Sequence, residues 1–283
     1  MISIRNDELS VVIAERGAEL WSVRCGGKEY LWQGDPRFWT GRAPILFPIC
    51  GAVKDNWYLL DGVRYDIPKH GFAKEMDFEV DYHDKSSAVM LLRDTEETRK
   101  MFPFAFELRV SFMLRGRRVK ICYDLLNTSE KTIYFSMGAH EAYALPGGLS
   151  RYKLVFPQEE SFETRTFRDG MMTEERRTVA PKGQVLSLHE GLFSGGTLAF
   201  DRLGSKECVL CRDDNARAIR VSWEDYKKLL IWTMPGADYV CLEPWAGSPD
   251  PTDSDHNFAE KPDIISAWPG ETVSRVHSFE IIK

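Results

Sequence analysis

The segment "FELRVSFML", residues 106–114, alternates between apolar and polar side chains. In an extended chain this alternation places every second residue on the same face. After a turn at "RGR" (115–117), the run "VKICYDLL" (119–126) repeats the pattern. The two runs predict an antiparallel hairpin with one buried face. In the first run that face consists of Phe106, Leu108, Val110, Phe112 and Leu114.

The same period of two recurs along the chain. The segment "YLLDGVRY" (58–65) has an Asp61-Gly62 pair at its centre, which suits a type I′ hairpin turn because both central residues need a positive φ. Three further runs have the same character: "VRCGGKEYLW" (23–32), "ECVLCRDDNARAIRVSW" (207–223) and "ETVSRVHSFEII" (271–282).

Helical signals are scarce. The clearest is "DTEETRKMF" (94–102), where Asp94 as N-cap and Glu97 three residues later suggest a capping box, and Pro103 ends the segment. No internal repeat, low-complexity tract or long linker divides the chain. The sequence therefore predicts an all-β, mainly antiparallel fold with one or two short helices, arranged as one large β-sandwich domain over residues 1–283.

Charge and composition exclude some classes of protein. The 283-residue chain has a formal net charge of −6, whereas a nucleic-acid-binding protein normally has a basic surface. Its first ten residues, "MISIRNDELS", contain charges and no apolar core, unlike a signal peptide. No apolar run approaches the ~20 residues that span a bilayer. We therefore expect a cytoplasmic protein without nucleic-acid or membrane partners.

The chain contains six cysteines. Cys208 and Cys211 form a C-x-x-C pair within a predicted strand, where neither a redox helix nor a second pair of zinc ligands accompanies them. A chain of this length without a secretion signal needs no disulfide framework. The sequence predicts buried, unpaired thiols and no metal site.

Candidate functional residues lie where predicted strands enter loops rich in glycine, proline and aromatic residues. A glutamate and a histidine can act as base and acid near pH 7, and a tryptophan face packs well on a sugar ring. This combination suits proton transfer on a carbohydrate. A second carboxylate for glycoside hydrolysis and a nucleotide-binding loop are both missing. The residues are Arg42, His70, Lys74, His140, Glu243 and Trp245.

Structural roles are also possible for these residues. His70 and His140 would suit turns, and Glu243, after the apolar run "YVCL", could belong to a buried ion pair. Other polar residues are expected to be solvated or held in turns. These are the four remaining histidines and the acidic run at 250–255, which lacks the glycine-centred loop of a calcium site: His83, His189, His256, His277, Asp250, Asp253 and Asp255.

Five motifs in this order resemble those of the aldose 1-epimerase (galactose mutarotase-like) family: "PILFPICG" (44–51), "HGFAK" (70–74), "FPFAFEL" (102–108), "GAHEAY" (138–143) and "LEPW" (242–245). The match is closest to its LacX-type proteins and glucose-6-phosphate 1-epimerase relatives. The resemblance implies a galactose mutarotase-like β-supersandwich. It also implies an enzyme that interconverts the α and β anomers of a sugar or sugar phosphate without a metal or organic cofactor.

The resemblance also implies roles for individual residues. Glu243 would take the proton from the C1 hydroxyl, His140 would protonate the ring oxygen, and His70 would assist. The implied substrate-binding residues are Arg42, Phe72, Lys74 and Trp245. Two positions depart from the family pattern, since Lys74 replaces an arginine and Glu141 replaces a common proline.

Other functions remain open at this point. One is a non-catalytic sugar-binding or sugar-sensing protein on the same fold, and another is a different carbohydrate reaction. A phosphorylated substrate is suggested by cations around two of the motifs, although an ordinary charged surface would look the same. These cations are Arg37, Arg42, Lys54, Lys69 and Lys74.

Overall fold

A computed structural model describes residues 1–283 of the chain. The chain forms 24 β-strands, one short α-helix and five single-turn 3₁₀ helices. The strands are β1 Ile2–Arg5, β2 Leu9–Ile13, β3 Leu20–Cys25, β4 Lys28–Glu29, β5 Trp57–Leu60, β6 Val63–Asp66, β7 Glu79–His83, β8 Ser87–Arg93, β9 Phe106–Arg115, β10 Arg118–Asn127, β11 Ile133–Phe135, β12 Met137–Gly138, β13 Glu141–Ala144, β14 Tyr152–Glu160, β15 Glu163–Arg168, β16 Met171–Thr178, β17 Gly183–Ser187, β18 Leu198–Phe200, β19 Glu207–Arg212, β20 Ala218–Ser222, β21 Lys228–Trp232, β22 Tyr239–Ala246, β23 Ile265–Ala267 and β24 Thr272–Ile281. The helix α1 is Glu96–Met101, and the 3₁₀ helices are Lys54–Asn56, Ala73–Glu75, Leu149–Arg151, Glu190–Phe193 and Phe258–Glu260.

Two large antiparallel sheets dominate the fold. A nine-stranded sheet has the order β17-β14-β19-β20-β24-β10-β9-β8-β7. A seven-stranded sheet has the order β12-β22-β21-β18-β15-β16, with β13 also paired to β22. Three smaller sheets, β1 to β4, β5 with β6, and β11 with β23, complete the structure. The predicted all-β, mainly antiparallel sandwich is therefore confirmed.

The predicted hairpins explain most of the large sheet. Strands β9 and β10 pair around a turn at Gly116, and the apolar face of residues 106–114 is buried while its polar face is not. Asp61 and Gly62 have φ values of 51° and 76°, as a type I′ turn requires. The strict alternation of side chains therefore fixed both the strands and the side that faces the core.

One apolar core of 66 buried residues extends from Ile4 to Ile281. A single domain over residues 1–283 stays a prediction. All six cysteines are unpaired, and five are buried, as the sequence predicted. No helix in the structure has both the length and the apolar character needed to cross a membrane.

The helix begins one residue later than predicted. Thr95, not Asp94, is the N-cap, and Thr95 and Thr98 exchange the two hydrogen bonds of a capping box. The Asp94 carboxylate instead accepts hydrogen bonds from the Phe106 backbone N–H and from the Arg99 side chain. Asp94 is therefore used to join the helix to strand β9.

His277 is buried, although it was expected to be solvated or held in a turn. Its partner Glu141 is also buried. Glu141 projects from the seven-stranded sheet and His277 from the nine-stranded sheet, and His277 Nε2 lies 2.8 Å from Glu141 Oε1 in the buried core. His277 Nδ1 lies 3.3 Å from the hydroxyl of Tyr226. Glu141 thus joins the two sheets and points away from the neighbouring His140.

The acidic run at 250–255 also differs from the expected solvated loop. Asp250 is 3% exposed and forms an ion pair of 2.5 Å with the buried ammonium of Lys261. Its second carboxylate oxygen accepts hydrogen bonds from the Lys54 backbone N–H and the Ser254 hydroxyl. This buried carboxylate holds the segment after β22 against the segment that follows Gly51.

We expect Lys261→Met to destabilise the protein by about 3–5 kcal/mol, because it leaves the Asp250 carboxylate buried without its countercharge. The matched control is Lys131→Met, which breaks an ion pair with Asp61 whose partners are 75% and 69% exposed. The control should change stability little. Urea unfolding followed by tryptophan fluorescence measures both. Equal stability of the two variants would show that the Asp250–Lys261 pair is unimportant.

Candidate active site

Strand β22 supplies the carboxylate. All eight of its residues are buried, and its even-numbered residues Val240 and Leu242 join the apolar core. The alternation of the strand places Cys241, Glu243 and Trp245 on the opposite face. Glu243 was expected where the strand enters a loop, but it lies inside the strand. On the neighbouring strand β21, Leu230 lies opposite Glu243 and Trp232 lies opposite Cys241.

His140 lies in an interruption between two short strands. Both β12 and β13 pair with β22, and residues 139–140 between them belong to neither. The imidazole is buried, and its Nε2 lies 3.4 Å from Oε2 of Glu243. Gly138 lies opposite Trp245, and a Cβ there would lie 2.9 Å from the indole. The glycine therefore leaves room for Trp245 beside the pair.

The segment that carries His70 is fixed by the "PILFPICG" segment. His70 has a φ of +67°, and its backbone N–H donates to Gly51 O at 2.7 Å. The Gly51 N–H in turn donates to His70 Nδ1 at 3.1 Å. A backbone N–H can only donate, so Nδ1 is the acceptor, and the neutral ring carries its proton on Nε2. His70 is therefore held as a hydrogen-bond donor through Nε2.

Gly71 allows this close approach of the two segments. Its φ is +70°, and a Cβ at this position would lie 2.1 Å from the carbonyl oxygen of Phe47. That oxygen accepts hydrogen bonds from the backbone N–H groups of Phe72 and Ala73. Any side chain at residue 71 would push the His70 segment away from the Phe47 segment.

These groups line one cavity of about 750 Å³, within the usual range for small-molecule sites. The His70 and His140 rings are perpendicular with centroids 5.7 Å apart, and His70 lies 5.6 Å from Trp245. Trp39 and Trp232 lie 5.1 Å and 5.8 Å from the His140 ring. These two tryptophans were not predicted from the sequence. For Trp232 a signal existed, since it shares the alternation of an apolar strand.

Burial controls the protonation of the site. Glu243 is 1% exposed and His140 is 8% exposed. Removal from water raises the pKa of the Glu243 carboxyl to about 8 and lowers the pKa of the His140 imidazole to about 3. Burial, and then the nearby His140, also lower the pKa of His70 well below its usual value. Between those two pKa values the Glu243–His140 pair holds a single proton.

Five of the seven residues predicted for the site meet in this cavity: His70, Lys74, His140, Glu243 and Trp245. The Lys74 ammonium donates to the backbone oxygens of Gly71 at 2.9 Å and Lys69 at 3.3 Å. The ammonium therefore stabilises the turn that carries His70. Burial lowers the pKa of Lys74.

Arg42 and Phe72 do not line the cavity. The Arg42 guanidinium stacks on the Trp21 ring at 3.6 Å and donates to the backbone oxygens of Trp21 and Gln33. Phe72 is 2% exposed and packs in the core near Phe47. The positive φ values of residues 70 and 71 reverse the chain direction. As a result, the side chain of His70 points to the cavity and that of Phe72 points to the core.

A metal ion could be held only where suitable ligand atoms converge. Cys241, His140 and Glu243 each offer one ligand atom, and the three atoms lie within 4.8 Å of one another. All three residues are buried, and two of them, His140 and Glu243, line the cavity. From the sequence, Cys241 was expected to be a buried, unpaired thiol, and no metal site was expected.

Comparison with known proteins agrees with this fold. The family model for aldose 1-epimerase matches residues 1–280. The plasmid-encoded protein LacX of Lactococcus lactis subsp. lactis is 29% identical over 99% of both chains. The X-ray structure of a galactose mutarotase related enzyme from Lactobacillus acidophilus has a TM-score of 0.94 and 31% identity, covering 100% of this chain and 97% of that one.

A second crystal structure, of a galactose mutarotase-like protein from Lactobacillus casei ATCC 334, has a TM-score of 0.93 and 28% identity over 99% of both chains. Fold and site thus define a galactose mutarotase-like protein. The chain belongs to the aldose 1-epimerase family, and it is an isomerase of the epimerase type.

We expect Gly71→Ala to destabilise the protein strongly and to abolish sugar turnover, because the new Cβ displaces the His70 segment. The matched control is Gly62→Ala, which has a φ of +76° but no atom within 4 Å of the new Cβ. The control should lose only about 1–2 kcal/mol from backbone strain. Chemical denaturation and an anomer-exchange assay on both variants measure the difference. Similar losses in the two variants would contradict the steric role of residue 71.

Proposed function

We propose that the protein interconverts the α and β anomers of an aldose, with Glu243 and His140 as the acid–base pair. The observation that supports this most is the 3.4 Å separation of His140 Nε2 and Glu243 Oε2 at the floor of an aromatic cavity. The two groups are close enough to reach neighbouring oxygens of one pyranose ring. His70, perpendicular to His140, then donates its Nε2–H to the ring oxygen or an adjacent hydroxyl.

The reaction requires one proton to leave O1 and another to reach O5. The Glu243 carboxylate removes the proton from O1, and the O–H electrons form the C1=O1 bond as the C1–O5 bond breaks. O5 takes a proton from the His140 imidazolium, which gives an open-chain aldehyde. Rotation about C1–C2 presents the other face of the carbonyl. On closure, His140 takes the proton from O5 and Glu243 returns one to O1.

The proton count of the pair matches this scheme. Burial places the single titratable proton on Glu243 and leaves His140 neutral. The reactive arrangement, a carboxylate beside an imidazolium, contains the same one proton. Movement of that proton within the pair therefore prepares the site without exchange with solvent. Each positioned proton transfer is worth about 10²–10⁴-fold in rate.

The cavity walls suit a sugar. Trp39, Trp232 and Trp245 offer apolar faces for the C–H surface of a pyranose. Of the cations noted in the sequence, Lys69 and Lys74 line the cavity and have no carboxylate partner within 4.0 Å. Arg37 pairs with Asp35 outside it. The two lysines make phosphorylated aldoses reasonable substrates to test beside free ones.

A non-catalytic sugar-binding protein is the second candidate, because aromatic walls alone serve binding. The buried acid–base pair favours the enzyme, since a binding protein gains nothing from a carboxyl held out of water next to an imidazole. Acceleration of anomer exchange by the wild-type protein separates the two functions.

We expect Glu243→Gln to lower kcat by about 10²–10⁴-fold while sugar affinity stays close to that of the wild type, because the amide keeps the shape but cannot accept the O1 proton. Exchange NMR on free and 6-phosphorylated aldoses measures the rates, and calorimetry measures binding. The matched control is Glu75→Gln, at a rim carboxylate whose side chain is 64% exposed. A Glu243→Gln variant as active as the Glu75→Gln control would refute the assignment.

The rate should depend on pH through the proton of the pair. The pKa of Glu243 is raised to about 8, so the one-proton state persists through neutral pH and is lost above it. We expect kcat/KM of the wild type to be flat at neutral pH and to fall about tenfold per pH unit well above 8. On the acid side it should stay flat until His140 gains a proton near pH 3 or the protein unfolds. A fall centred near pH 6 would instead indicate an ordinary, solvated histidine.

A further inference from the structure

The proposed reaction leaves one buried nucleophile next to the site without a role. Cys241 lies two residues before Glu243 on the same face of β22, and Trp232 faces it from β21. Its side chain belongs to a buried cluster that includes Tyr239, and Trp39, which lines the cavity, packs against that cluster. Of the six cysteines, this is the one whose sulfur approaches both members of the acid–base pair.

The three ligand atoms are close to the arrangement of a tetrahedral metal site. Zinc binds sulfur at about 2.3 Å and nitrogen or oxygen at about 2.0–2.2 Å, which separates ligand atoms by roughly 3.3–3.7 Å. His140 Nε2 and Glu243 Oε2 are already 3.4 Å apart. One ligand atom from each of the three residues lies within 4.8 Å of the other two, so a contraction of about an ångström by side-chain rotation completes the set.

The charge of such a site also fits its surroundings. A divalent cation with one thiolate, one carboxylate and one neutral imidazole has no net charge, which is what a site shielded from water tolerates. Binding forms metal–S, metal–O and metal–N bonds, and the protons of the thiol and the carboxyl leave to solvent. Thiolate selects zinc-like cations over Mg²⁺ and Ca²⁺, which prefer oxygen ligands.

We propose that His140, Cys241 and Glu243 form a binding site for a thiophilic divalent cation such as Zn²⁺, and that its occupation inhibits the enzyme. Three protein ligands leave the fourth position facing the cavity, open to water. The metal occupies the lone pairs that the proton transfers need, so it competes with the sugar. The inhibition rests on the proposed function, whereas metal binding itself does not.

The test compares Cys241→Ala with wild type and with Cys50→Ala. Cys50 is a matched control because it is also fully buried and contacts Trp245, yet it lies outside the trio. Zinc at buffered free concentrations is titrated into the anomer-exchange assay, with Mg²⁺ and Ca²⁺ in parallel. Binding of Co²⁺ is followed separately by its thiolate-to-cobalt absorption, which needs no sugar. Cys241→Ser, which keeps the volume of the residue, serves if the alanine variant does not fold.

We expect zinc to inhibit wild type and Cys50→Ala alike, competitively with sugar, and Mg²⁺ and Ca²⁺ to have no effect. In Cys241→Ala the metal-free rate should stay near that of wild type. Loss of a residue that only hydrogen-bonds to a metal ligand lowers metal affinity by about 10–100-fold. Loss of the ligand itself should lower the zinc affinity of Cys241→Ala by more than this. The cobalt–thiolate band should disappear in this variant and persist in Cys50→Ala.

Two results would overturn the proposal: no cobalt–thiolate band in wild type, or equal zinc affinity in wild type and Cys241→Ala. A protein that shows the band but does not accelerate anomer exchange would keep the metal site and reject the acid–base function. The two proposals therefore fail independently.

Discussion

The burial of strand β22 is the constraint on which the site depends. The strand pairs with β21 along one edge and with β12 and β13 along the other, and all eight of its residues are buried. A carboxylate placed there cannot be solvated, so Glu243 retains its proton at neutral pH. The same burial keeps His140 neutral. A carboxyl that would be ionised in water and an imidazole that would titrate near neutral pH thus become a pair that holds one titratable proton.

The second constraint is the contact between residues 44–51 and 70–74. Hydrogen bonds between Gly51 and His70 run in both directions, and the Phe47 carbonyl accepts from the chain just after Gly71. The backbone therefore fixes which nitrogen of His70 carries the proton. The Lys74 ammonium closes the same turn by binding two backbone oxygens. This rigidity matters for the proposed mechanism, because proton transfers depend strongly on distance and orientation.

The comparisons show how little sequence identity this architecture needs. The Lactobacillus acidophilus structure matches with a TM-score of 0.94 at 31% identity. In this chain the architecture rests on physical pattern: alternating strands, tight glycine turns and one apolar core. Buried polar contacts such as Asp250–Lys261 and Glu141–His277 connect segments distant in sequence. They fix the arrangement of the sheets around the cavity.

The sequence alone determined the strands and their buried faces, because the period of two in segments such as 106–114 depends only on local geometry. It also determined the Asp61-Gly62 turn. The resemblance identified the motifs that contribute His70, His140 and Glu243, but local pattern could not show that these residues meet. Phe72 was misplaced because the reversal at residues 70 and 71 turns it to the core. Arg42 was misplaced because a stacking partner, Trp21, lies 21 residues earlier. Only the tertiary structure decided the burial of Glu243, the neighbours of Cys241 and the aromatic walls, since each arises from strands that are far apart in the chain.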